Sequence, residues 1–350
     1  MTPLTQKIDV HHHLIPPAFA QALARSGFQE LVGAPLPAWS PESSIETMDM
    51  DGIGTAILSL SNPGVYFGDL QEACKLARDC NEYAAEVGST YPDRFGSFSV
   101  LPMPFTEQAC REAEYALDTL KADGIVLLGS TEGKFLGNPQ FDELMAELNR
   151  RKAVVFLHPN LHPTSTTLGL QAPGFLVEFL CDTTRAATNL ILSGTVEKYD
   201  SIRWILAHAG GFLPYIAWRL SLANGMPEYA RKMPAGMLTY IRRFYYDTAL
   251  SPSPFAMAAL RQLVDPSHIL FGSDFPFAPH VAVALQVSGF QELTVLSDEE
   301  KSAIARSNSF ALFPRLGTAS PSVIKTPGKA SFKRAIVKPL IAVANQLRDR

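Results

Sequence analysis

Short runs dense in Val, Ile, Leu and Phe alternate along the chain with longer stretches in which apolar residues recur every three to four positions. The first kind suits strands buried on both faces and the second suits amphipathic helices, so the alternation predicts βα units around a parallel sheet. The strand runs fall at 7–12, 54–60, 95–100, 124–129, 153–158, 203–208, 243–248 and 268–273. Helical stretches fall near 42–51, 69–90, 106–121, 139–151, 174–198, 210–222, 253–264 and 282–292. Eight of each predict an α/β protein of the (β/α)8 TIM-barrel class. A doubly wound sheet would carry a Gly-rich turn after its first strand. Here that turn reads His12-His13-Leu14-Ile15-Pro16-Pro17, so no nucleotide cofactor is expected.

Three features extend this frame. An additional C-terminal helix is expected over 298–312, opening on Ser297 with acids in its first turn and packing under the barrel. The segment from Leu14 to Trp39 carries Pro16, Pro17, Pro35 and Pro37. It is too long for a simple βα turn and is expected to overhang the C-terminal face as a partial lid. Residues 1–317 form the expected barrel domain, and residues 318–350 a basic C-terminal extension with seven Lys/Arg against the single acid Asp349. In that extension Phe332, Ala335, Ile336, Leu340, Ile341, Val343, Ala344 and Leu347 interleave with Lys333, Arg334 and Lys338, and Pro339 interrupts the pattern. A helix packed on the barrel or an unstructured end is expected there rather than contact with an anionic membrane.

Composition narrows the function classes. At 350 residues, 47% hydrophobic and 18% charged, the chain has enough apolar material for a large core. A net charge of −4 gives no general attraction to phosphate backbones, which leaves small-molecule chemistry rather than nucleic-acid binding. Cys74, Cys80, Cys110 and Cys181 form no Cys-x-x-Cys pair, and no apolar stretch approaches a membrane span or a leader, so reduced thiols and a cytoplasmic location are expected.

The chemistry concentrates at strand ends. Along a strand alternate side chains share a face, so His11 and His13 point one way and His12 the other. His158 ends the fifth strand, His208 the sixth, and Asp274 follows the eighth. In a barrel all of these meet at the C-terminal face, where imidazoles with a carboxylate suit Zn2+, with Mn2+, Fe2+ or Co2+ as alternatives. One ion is expected rather than two, because the end of the fourth strand offers no bridging acid and Lys134 lies several residues beyond it. Phe275, Phe277, Tyr66 and Phe67 follow strand ends and are candidate walls for an aromatic substrate, and Arg219 and Arg243 are candidate anchors for a second acidic group.

The wording of these motifs resembles one branch of the amidohydrolase superfamily, the group related to aminocarboxymuconate-semialdehyde decarboxylase. The resemblance rests on Ile8-Asp9-Val10-His11-His12-His13, Pro92-Asp93-Arg94-Phe95-Gly96, His208-Ala209-Gly210-Gly211, Gly272-Ser273-Asp274-Phe275-Pro276-Phe277 and Asn308. Within that branch, Pro16-Pro17, Pro37-Ala38-Trp39-Ser40-Pro41-Glu42 and Ala56-Ile57-Leu58-Ser59-Leu60 are similar to 6-methylsalicylate decarboxylases. The likeness runs from about residue 7 to residue 316 and leaves out the basic tail. It implies His11, His13, His158 and Asp274 as metal ligands, with His208 as a catalytic histidine beside the metal. It further implies non-oxidative decarboxylation of a small aromatic carboxylate, with Asp274 protonating the ring carbon, and a homodimer. A metal-dependent lactone or amide hydrolase on the same ligands is the alternative, and a barrel that has lost its chemistry is disfavoured by the presence of all five residues.

Overall fold

The computed structural model describes residues 6–168 and 170–318. Eight parallel strands follow one another around a sheet: β1 (Lys7–His13), β2 (Ile53–Ser59), β3 (Phe95–Val100), β4 (Gly124–Leu128), β5 (Val154–His158), β6 (Arg203–Leu206), β7 (Tyr245–Asp247) and β8 (Ile269–Leu270). The sheet closes on itself. Val10 N–H donates to Phe271 O at 2.9 Å, Asp274 N–H to His11 O at 2.8 Å and His13 N–H to Phe275 O at 2.7 Å, joining the segment after β8 to β1. The result is the TIM barrel that the alternating pattern predicts, with each strand within a few residues of its expected place.

The interior is packed apolar material. Ile8, Val10, Ile57, Phe98, Phe156 and Ile205 fill the cylinder, with Phe98 and Phe156 stacked at 5.5 Å between centroids. Helices cover the outside, and several start where the sequence supplies a cap. Ser40 and Ser43 form a reciprocal box at the head of Pro41–Asp51, and Ser297 and Glu300 do the same for Asp298–Ala305. The expected 298–312 helix breaks at Arg306 and continues as a 3-10 turn, Ser307–Ala311. This C-terminal segment closes the N-terminal end of the barrel: Phe313 packs on Phe98 at 5.8 Å, and Arg315 Nε donates to Asp123 Oδ1 at 2.6 Å.

The Leu14–Trp39 segment is more ordered than a proline-rich loop suggests. It contains a helix, Pro17–Arg25, and a hairpin pairing Glu30–Leu31 with Ala34–Pro35. Pro17 sits at the first helical position, where its missing N–H costs nothing, so the proline starts the helix rather than preventing it. A short helix, Met237–Arg243, also precedes β7 where none was expected. The basic extension lies outside the described residues. Among those described, no helix is long and apolar enough to cross a membrane.

Candidate metal centre and active site

The strand ends bring His11, His13, His158 and Asp274 together. One ligand atom from each lies within 4.8 Å of the others, and all four residues are buried. His11 Nε2 stands 3.0 Å from His13 Nε2 and 3.2 Å from Asp274 Oδ1, and His13 Nε2 stands 3.1 Å from that same oxygen. Such separations are what donor atoms about 2 Å from a shared cation show.

The orientation of the rings is set from behind. His11 Nδ1 lies 2.7 Å from Asp247 Oδ2, His13 Nδ1 3.1 Å from Ser59 O, and His158 Nδ1 2.9 Å from Pro159 O. Each acceptor fixes the ring proton on Nδ1 and leaves the Nε2 lone pair facing inward, the arrangement of ligating histidines. His208 differs: neither of its buried ring nitrogens has a hydrogen-bond partner, and Nε2 stands 3.7 Å from Asp274 Oδ2. His12 faces away, between Asp9 Oδ2 at 2.9 Å and Ser44 Oγ at 3.0 Å, as strand alternation requires. His208 and Asp274 both hold left-handed backbones, with φ of 54° and 63°, a conformation that non-glycine residues adopt at a cost and that clusters at functional sites.

Electrostatics favour one positive charge in this cage. Burial lowers the His11 pKa, but Asp247 and Asp274 outweigh it and push the imidazole up to about 10. Burial pulls His13 down and, with the neighbouring imidazoles, holds His158 well below its ordinary value. Burial opposes ionisation of Asp274, yet the charge on His11 keeps it well below the usual carboxylate range. A divalent cation can take the place of that proton, so the donor set, its orientation and its charge all fit a metal ion.

The site opens into a cavity of about 470 Å3 whose floor carries His158 and Asp274. Its walls include Leu31, Val32, Phe179, Phe277 and Ala282, and among the described residues Ser61 and Asn62 are the hydroxyl and amide side chains that line it. The hairpin supplies Leu31, Val32, Ala34 and Pro35, so the segment expected to overhang the face does border the cavity. Among the described residues no Lys or Arg lines it.

The expected aromatic walls are placed unevenly. Phe277 lines the cavity and packs on His13 at 5.3 Å. Phe275 does not, because its ring turns back onto His12 at 5.1 Å. Tyr66 packs on Phe105 at 5.2 Å beside a separate small hollow between β2, β3 and β4, and Phe67 on Phe28 at 5.9 Å outside the barrel mouth. Neither reaches the cavity. Arg219 is exposed on the helix Leu213–Leu220, and Arg243 lies 4.8 Å over the Tyr240 ring and 3.9 Å from Glu197, so neither anchors a second acidic group there. Lys134 bonds Gln140 Oε1 at 2.6 Å on the surface and bridges nothing.

Several supporting residues escaped the sequence reading. Asp247 ends β7, the same strand-end signal that marked the histidines, and accepts from His208 N–H and Ala249 N–H at 2.9 Å through Oδ1 while Oδ2 holds His11. Asn62 Nδ2 donates to Asn160 Oδ1, Asn160 Nδ2 to Ser130 O at 2.8 Å, and Asp182 accepts from Ser130 Oγ and Asn160 N–H at 2.7 and 2.8 Å. Only the fold shows that these residues meet.

Asp182 carries a testable pH signature. Burial pushes its carboxyl up to about 6, so the folded chain binds that proton more tightly than the unfolded chain. The stability it contributes is therefore full below about pH 4 and lost as pH rises through about 6, a change of about 3 kcal/mol. The difference in unfolding free energy between the parent and Asp182→Asn is expected to move by about 2 kcal/mol of that between pH 4 and pH 7. Denaturant titrations giving a constant difference across the window would contradict it.

Comparison with known proteins agrees with this geometry. Residues 8–315 match the amidohydrolase family. The chain belongs to that family. It is 39% identical over 317 residues to the 6-methylsalicylic acid decarboxylase of Penicillium expansum, covering 89% of this chain and 97% of that one. A solved structure described as an amidohydrolase II superposes with a TM-score of 0.82 at 30% identity, covering 88% of this chain and 99% of that one. Another, a dihydroxybenzoic acid decarboxylase from Polaromonas sp. JS666 with bound manganese and the inhibitor 2-nitroresorcinol, does so with a TM-score of 0.77 at 25% identity, covering 90% and 98%.

Proposed function

We propose that this amidohydrolase is a metal-dependent, non-oxidative decarboxylase of a salicylate-type acid, with 6-methylsalicylate as the representative substrate. The observation that carries the proposal is an apolar cavity with His11, His13, His158 and Asp274 gathered at its floor and, among the described residues, no Lys or Arg on its walls. A substrate carboxylate then has a single cationic anchor. The names of the relatives, decarboxylases of 6-methylsalicylic and dihydroxybenzoic acids, point the same way.

In this reading His11, His13, His158 and Asp274 hold one divalent ion. Zinc suits three imidazoles and a carboxylate, and manganese, present in the Polaromonas structure, is the alternative. When bound there, the ion would supply Lewis-acid stabilisation of negative charge on the substrate oxygens. Asp274 presents Oδ1 to His11 and His13, leaving Oδ2 toward His208 and the cavity. Because Asp274 rests ionised, the proton reaches its Oδ2 only in passing, from His208 Nε2 3.7 Å away, and goes on to the ring carbon that bears the carboxylate. The bond from ring carbon to carboxylate then breaks, its electron pair returns to the ring, and CO2 leaves. The net reaction consumes one proton and restores aromaticity. The apolar walls keep water from competing for that proton, whereas a lactone or amide hydrolase needs water held and activated beside the scissile carbonyl.

The test is CO2 release from salicylate, 6-methylsalicylate and 2,6-dihydroxybenzoate by apoenzyme reloaded with zinc or manganese. Release from 6-methylsalicylate at a rate at least ten times that of metal-free protein is expected. Lactone turnover with no CO2 from any acid would reverse the assignment.

A homodimer located in the cytoplasm completes the proposal. Tyr215 and Trp218 are 86% and 77% exposed on one helix, apolar area of the kind subunit contacts cover, and all four cysteines are free thiols. Sedimentation analysis checks the subunit count.

A further inference from the structure

The cavity is much larger than the proposed ring requires. Its 470 Å3 compares with roughly 200 Å3 for a one-ring methylated salicylate packed at crystal-like density. Among the described residues, the lining other than His158, Asp274, Ser61 and Asn62 is apolar. Beyond the cavity sits a second hollow of about 550 Å3, and the two share Leu31, Val32 and Asn62 as a common wall.

The surface around these hollows is unusually apolar for exposed positions. Phe175 and Leu250 line the cavity and Phe28, Leu170 and Val177 line the hollow, each more than a third exposed. Single exposed apolar residues need no explanation, but a track of them leading out of a binding cavity does. The hairpin beside this track is held at its tip, where Gly33 approaches Pro173 so closely that a Cβ would meet it at 3.3 Å. The space is thus bounded on one side by fixed backbone.

We propose that the enzyme's substrate class is salicylates bearing a long apolar tail in place of the methyl group: 6-alkylsalicylates whose chain of several carbons lies along the hairpin and leaves past Phe175 and Leu250. This rests on the decarboxylase reading, since the cation anchors the carboxylate end. The tail takes up the surplus volume and covers apolar wall that a methyl group leaves in water. The products are the corresponding 3-alkylphenols and CO2.

The experiment compares kcat/KM for 6-methyl-, 6-propyl-, 6-pentyl- and 6-heptylsalicylate on the metal-loaded enzyme, with binding of m-cresol and 3-heptylphenol measured in parallel. Burial of each methylene predicts a rise of about fourfold per added carbon until the cavity is filled. In Ala34→Trp, where an exposed hairpin residue on the cavity wall gains an indole, the heptyl-to-methyl ratio is expected to fall at least tenfold. CO2 from 6-methylsalicylate with kcat/KM falling at each added carbon overturns the tail proposal and leaves the decarboxylase reading intact. No CO2 from any acid, with 3-heptylphenol still binding at least tenfold more tightly than m-cresol, removes the decarboxylase reading and keeps the apolar-tail site. Equal or weaker binding of the longer phenol removes the site as well.

Discussion

Asp274→Asn is expected to lower kcat for CO2 release by at least about a thousandfold, within the range that loss of a positioned acid produces. Asparagine keeps the shape of the side chain and an oxygen that can still face His11 and His13, but it has no acidic proton to give to a ring carbon. It also suits the backbone, since Asp274 sits at φ 63° and asparagine is among the residues that accept a left-handed conformation most readily. Folding therefore survives, and with metal supplied in excess the loss falls on the chemical step. Single-turnover CO2 release, with metal content measured on the same preparation, separates the two. A variant retaining more than a tenth of the parent rate would remove Asp274 from proton delivery.

Asp247→Asn is expected to weaken metal binding about a hundredfold without touching a ligand. Asp247 uses Oδ1 for two backbone N–H groups and Oδ2 for His11 Nδ1. An asparagine keeps its oxygen on the backbone donors and so turns its NH2 toward His11. Two N–H groups then face each other unless the imidazole moves its proton to Nε2, which takes the inward lone pair away from the ion. The same tautomer argument explains why a neutral amide fails behind a catalytic histidine in other enzymes. Competition with a chelator reads the affinity, and excess metal is expected to restore much of the activity. Unchanged metal retention would show that Asp247 only shapes the β7 end.

How far these features could be read in the chain depends on the distance over which each signal acts. The strands were legible because burial on both faces writes itself into consecutive residues, as in Val154–His158 and Gly124–Leu128. The five strand-end residues were legible once the barrel was assumed, because the fold collects strand ends at one face. Direction within a loop was not. Tyr66 and Phe67 lie in the same loop after β2 as Asn62, seven and eight residues past Ser59 against three, yet of the three only Asn62 borders the cavity, while Tyr66 packs on Phe105 and Phe67 on Phe28. Asp247 was visible as a strand-end carboxylate, but its role depends on His11, 236 positions away. The hairpin was hidden for another reason: two residues per strand are too few to show alternation.

The stack of rings through the cylinder ties its two ends together. Phe313 rests on Phe98, Phe98 on Phe156, and Phe156 supports His11 edge-on at 4.9 Å. Aromatic neighbours in a dense interior have little slack, so displacement at one end is passed along rather than absorbed. Phe313 is thus a foundation for the His11, His13, His158 and Asp274 cluster at the opposite pole, and a chain ending before it would keep all four residues yet lose the pillar on which the first of them stands.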